Sequence, residues 1–125
     1  MLYTALVISG KEYKLRLNAK SCVALEKRIG SNPLNIFMGV ANNVLPSLEV
    51  LLVCLHQSLT EYQHGITMDD VYDIYDKYCA EENGSMITLI QVLLDVFKNA
   101  GFLPKDEEGE SEKNFYMRVI IRHSH

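Results

Sequence analysis

The first seventeen positions read as strands, whose side chains fall alternately on two faces. In the run 2–8, Leu2, Leu6 and Ile8 fall on one side, and Tyr3, Ala5 and Val7 on the other. Residues 9–12 read as a turn, where Gly10 can take the positive φ that tight hairpins demand. Tyr13, Leu15 and Leu17 then alternate with Lys14 and Arg16, which predicts an N-terminal β-hairpin.

From Asn18 onward the apolar spacing becomes helical. Asn18 is an N-cap candidate, Cys22, Leu25 and Ile29 share one face, and Gly30 ends the first helix. Asn32 before Pro33 opens a short second helix, with Leu34, Phe37 and Met38 as its apolar face and Gly39 as its end. Pro46 opens the longest helix, predicted to reach Tyr62. Its stripe of Leu48, Leu52, Leu55, Leu59 and Tyr62 is thickened by Leu51, Val53 and Cys54, which predicts the central, most buried helix. After Gly65, Thr67-Met68-Asp69-Asp70 resembles a capping box with Asp replacing the usual Glu. Met68, Val71, Tyr72, Tyr75 and Cys79 follow at helical spacing. Ser85 caps the last strong helix, which carries Leu89, Ile90, Leu93, Val96, Phe97 and Ala100 and stops at Gly101 and Pro104.

The pattern therefore predicts an α+β, mostly α fold: a β-hairpin followed by about five helices. Leu52, Leu55, Leu59, Leu89, Leu93 and Phe97 are expected to share one core. A single domain over residues 1–104 suits a chain of 125 residues, roughly the length of one domain. Residues 105–113 are acidic and hold no apolar side chain. Residues 105–125 are accordingly expected to form a solvated linker and a C-terminal tail in which apolar residues return at 115–122.

Charge and cysteine usage narrow the classes. A net charge of −4 offers no basic field for nucleic acid or an anionic membrane. No apolar run is long enough to span a bilayer, and the N-terminus lacks a secretion signal. Cys22, Cys54 and Cys79 are widely spaced without a CxxC pair, and read as reduced, buried cytosolic thiols. These features favour a cytosolic interaction or assembly protein over an enzyme or a DNA binder.

Candidate chemistry is sparse. Asp69, Asp73 and Asp76, beside Asp70, put carboxylates on one helical face. That face can in principle ligate a divalent cation, but it is also the ordinary wet side of an amphipathic helix. His56 and His64 are too far apart to act as a same-turn pair, and no HExxH, GxSxG, Walker or Rossmann pattern occurs. His123 and His125 read as a frayed end. Tyr62, Tyr72, Tyr75 and Tyr78 suit either the edge of a core or a protein contact surface. No catalytic site, cofactor site or metal site is assigned.

The order of several motifs resembles tail assembly chaperones of long-tailed phages and prophages of Gram-positive bacteria. The N-terminal part of the likeness is carried by Tyr13-Lys14-Leu15-Arg16-Leu17, Leu25-Glu26-Lys27-Arg28-Ile29-Gly30 and Asn32-Pro33-Leu34-Asn35-Ile36-Phe37. Leu55-His56-Gln57-Ser58-Leu59, His64-Gly65-Ile66-Thr67, Val71-Tyr72-Asp73-Ile74-Tyr75-Asp76 and Gly84-Ser85-Met86 continue it across residues 2–104. The resemblance implies a non-enzymatic helper that binds and solubilises the helical tape measure protein and leaves as the tail tube polymerises. Its implied partners are the tape measure protein, the tail tube protein and a second copy of the chain, in the bacterial host cytoplasm and not in the mature virion. The competing readings are another phage structural component, such as a head–tail connector or minor tail protein, and a small metal-dependent enzyme using Asp69, Asp73 and Asp76. The same resemblance implies two products made by a −1 ribosomal slip, for which Glu112-Lys113-Asn114 permits a slippery run. Residues 115–125 would then belong to the shorter product alone.

Overall fold

The computed structural model describes residues 3–102. Leu2, the stop at Pro104, the linker and tail over 105–125, and His123 and His125 lie outside the described residues. Two antiparallel strands, β1 (Thr4–Ile8) and β2 (Lys11–Leu15), pair in register from Ile8 opposite Lys11, through Leu6 opposite Tyr13, to Thr4 opposite Leu15. The turn is shorter than the four residues expected. Ser9 (φ 51°) and Gly10 (φ 79°) both take left-handed conformations, so two residues close the hairpin and Lys11 and Glu12 join β2. Two consecutive positive φ angles match the twist of the flanking strands, which is why this turn wins. Leu6, Ile8, Leu15 and Leu17 face the core, and Val7 faces out.

Five helices follow: α1 (Ala19–Ile29), α2 (Leu34–Ala41), α3 (Leu48–Leu59), α4 (Met68–Glu81) and α5 (Met86–Asn99). Local side-chain chemistry starts them. Asn18 with Ser21, Thr67 with Asp70 and Ser85 with Thr88 form reciprocal capping boxes, and Ser47 caps α3 through Val50 N–H. Asn32 Oδ1 accepts Leu34 N–H at 3.0 Å at the start of α2. Gly30, at φ 74°, closes α1 with its N–H on Glu26 O. At the end of α5, Gly101 N–H donates to Lys98 O and Phe102 N–H to Phe97 O, the Schellman pattern, with Gly101 at φ 91°.

Three helix boundaries differ from the pattern. α2 runs past Gly39 to Ala41. α3 begins after Ser47 rather than at Pro46, and it ends at Leu59, leaving Tyr62 exposed in the following turn. The reason is long-range: Arg16 N–H donates to Ser58 O at 2.9 Å, taking the carbonyl that Tyr62 N–H would need to continue the helix. The Arg16 guanidinium also pairs with Glu61 at 3.1 Å, pinning the exit of β2 beside the end of α3.

α3 is the central helix, packed against α1, α4, α5 and β2, while β1 lies on α4 and α5. Leu52, Leu55, Leu59, Leu89, Leu93 and Phe97 all belong to one buried cluster, as the stripes predict. In α4 the buried side is Val71, Ile74 and Tyr78, so Tyr72 lies in water rather than on the core face. Tyr78 O–H donates to Thr88 Oγ1, and its ring lies against Gly84. A Cβ on Gly84 would stand 2.4 Å from two ring carbons of Tyr78, whose hydroxyl is tied to the Ser85–Thr88 cap. Gly84→Ala is therefore expected to destabilise by about 1–3 kcal/mol, the range for overpacking. An unhindered Gly→Ala change would instead stabilise by ~0.4–1 kcal/mol, so the sign of the shift in a urea melt decides between the two.

Candidate protein-binding surface

The residues singled out for chemistry are dispersed by the fold. Asp69, Asp70, Asp73 and Asp76 are all exposed on α4. Asp70 is engaged in the cap: its carboxylate accepts Thr67 N–H at 2.9 Å, and that hydrogen bond holds its pKa below the usual carboxylate value. Asp70 and Asp73 border an open polar cleft of about 320 Å³ that also admits Lys11, Tyr13, His64 and Lys77, whereas Asp69 and Asp76 do not line it. Among the described residues, no three His, Cys, Asp or Glu side chains are grouped to hold a metal ion.

His56 is a structural link. Arg28 Nη1 donates to His56 Nδ1 at 2.9 Å, so the geometry assigns the proton to Nε2, which donates to Ile66 O at 2.8 Å. Arg28 also donates to Gln57 Oε1 at 3.0 Å and so ties the end of α1 to α3. Cys22 and Cys54 are buried and Cys79 is half-buried. Burial pushes the Cys54 thiol up to about 12, against a smaller downward pull from Arg28, and burial followed by the Glu26 charge raises Cys22. Such thiols stay protonated and inert. The tyrosines divide: Tyr62 and Tyr72 are exposed, Tyr78 is buried and Tyr75 is intermediate. Burial, then a hydrogen bond with Cys79, raises the Tyr75 phenol to about 12.

A different surface emerges around α2. Asn43 takes φ 62°, and Val44 N–H turns back onto Gly39 O at 2.7 Å. Glycine eases the approach, because a Cβ at position 39 would meet Val44 O tightly, at 3.0 Å. The loop thus folds against the end of α2 while its side chains point outward: Val44 is 63 % exposed and Leu45 51 %. Beside them runs a groove of about 220 Å³ between the end of α1, α2 and the start of α3, lined by Ile29, Ile36, Leu45, Pro46 and Val50. Its polar side chains, Ser31 and Asn35, are uncharged. Apolar periodicity does not mark this surface, because residues 42–47 belong to neither a helix nor a strand. The signal available in the sequence is two large aliphatic residues in a loop between Asn43 and Pro46.

Hairpin, five helices and an uncharged apolar groove together define a small α+β domain with a surface suited to protein contact. A family model matches residues 4–119, and the chain belongs to that family, DUF6096, a family of unknown function. No curated protein and no solved structure matches the chain. Among the described residues, no helix is long and apolar enough to cross a membrane.

Proposed function

We propose that this protein is a tail assembly chaperone of a long-tailed phage or prophage, and that it covers apolar stripes of the tape measure protein in the host cytoplasm. The observation that carries the reading is the exposed Val44–Leu45 pair at the groove between α1, α2 and α3. Single exposed aliphatics are ordinary on a protein surface, but contiguous ones flanking a groove mark an interaction site. A groove with neutral polar groups suits the apolar face of an amphipathic helix, which docks through side chains one turn apart. The tape measure protein as that helix is what the resemblance over residues 2–104 implies, and growing tail tube subunits would then displace the chaperone.

Co-expression tests the reading. With the wild-type chain, the tape measure protein should become soluble and co-purify. Val44→Asp combined with Leu45→Asp should abolish capture while shifting stability by only ~0.5 kcal/mol, as exposed substitutions do. A tape measure protein that stays insoluble beside the wild-type chain overturns the assignment. Retention of the protein in finished particles would favour a structural component of the virion instead.

A further inference from the structure

We propose that Asn83 is a deamidation site, restrained by the closed junction between α4 and α5, whose product holds that junction open. Asn83-Gly84 is the one Asn-Gly pair in the chain. Asparagine is among the chemically labile residues, and a following glycine has no side chain to shield its backbone nitrogen. Gly84 N can therefore attack Asn83 Cγ. The new N–Cγ bond closes a five-membered succinimide, the Cγ–Nδ2 bond breaks, and ammonia leaves carrying the Gly84 amide proton. Water then opens the imide at either carbonyl. Opening at Cγ gives aspartate; opening at the backbone carbonyl gives isoaspartate, with the main chain rerouted through the side chain.

The fold calls for both members of the pair. Position 83 takes φ 52°, a left-handed conformation in which asparagine is enriched. At position 84 a Cβ would stand 2.4 Å from two carbons of the Tyr78 ring. The labile dipeptide is thus set by the way α4 closes, and the same contacts restrain its chemistry. Gly84 N–H donates to Tyr78 O at 3.1 Å, so the attacking nitrogen must give up that bond before it can turn toward Cγ. The Tyr78 ring is itself buried and tied through its hydroxyl to Thr88. Asn83, by contrast, is exposed, and its carboxamide bonds to none of the described residues, so base and water reach it freely. Reaction then proceeds from the small fraction of molecules in which the junction has opened locally.

Closure after reaction is disfavoured twice over. Either product places a carboxylate beside the exposed Glu81 and Glu82 at the C-terminal end of α4, where negative charge opposes the helix dipole. Isoaspartate also adds one carbon to the main chain ahead of Gly84 N, which displaces Gly84 from the Tyr78 carbonyl and ring and Ser85 from its cap with Thr88. A modified chain is therefore a lasting record of one opening, whatever partner the protein serves.

Full-length protein held in mildly alkaline buffer, with and without urea, tests this, with peptide mapping by mass spectrometry reading conversion at position 83. Conversion in urea is expected to outrun that in the folded chain by roughly tenfold or more, the factor set by the rarity of local opening. Tyr78→Phe, which frees the ring from Thr88, should speed conversion several-fold while circular dichroism still reports a folded chain. Asn83→Gly keeps the left-handed turn and should stay unmodified in both conditions. Converted wild-type chain, separated by its added charge, should unfold at lower urea than the unconverted chain. Equal rates in folded and unfolded chain overturn the proposal, as does absence of conversion in urea. A converted fraction with an unchanged urea midpoint overturns the effect assigned to the product, and an unaltered rate in folded Tyr78→Phe removes the ring from the restraint.

Discussion

Phe97→Ala is expected to cost about 3–5 kcal/mol, the range for removing a buried aromatic ring. Its ring is fully buried and stands at the junction of three segments. Phe37 of α2 meets it edge-on at 5.1 Å and Phe102 does the same at 5.3 Å, with interplanar angles of 70° and 90°. Edge-to-face pairs add ~0.5–1.5 kcal/mol beyond the area they bury, so alanine loses both pairs along with the transfer term. The Schellman close of α5 depends on the same place, because its usual apolar contact is the one between Phe102 and Phe97. For a domain whose total stability is of order 5–15 kcal/mol, the variant sits near its limit. Urea denaturation followed by far-UV circular dichroism measures the loss. A change below about 1 kcal/mol, as on a surface, would show that the three rings do not form a closed cluster.

The parts of this fold legible in the sequence are those fixed by local chemistry. Asn18, Thr67 and Ser85 cap their helices through atoms three residues away, so a short window contains the whole cause. Gly30 and Gly101 end helices for an equally local reason, a left-handed φ. Sequence pattern and fold part where the cause is distant. The end of α3 depends on Arg16, forty-two residues before the Ser58 carbonyl it binds. On α4, Tyr72, Tyr75 and Tyr78 are stepped ~60° apart around the helix, so apolar spacing alone leaves open which of them faces the core, and Tyr78 is settled inside by Thr88 and Gly84. The groove has the least local cause: Val44 and Leu45 carry no period, and their exposure follows from the contact between Val44 and Gly39 across the end of α2.

Leu55 and Leu48 lie on the same predicted stripe, and alanine at the two positions is expected to have very unequal effects. Leu55 is 1 % exposed in α3, the helix that touches α1, α4, α5 and β2. No neighbour can move into the space left by its isobutyl group without disturbing another element. Leu55→Ala should therefore destabilise by about 2–5 kcal/mol, combining lost transfer energy with a residual cavity. Leu48 occupies the first turn of α3 and is 37 % exposed. Water already reaches its side chain, and alanine favours the helix, so Leu48→Ala should cost about 1 kcal/mol or less. Paired urea melts check both. Equal destabilisation by the two substitutions would place Leu48 in the core; little change at Leu55 would mean that α3 is not the central helix.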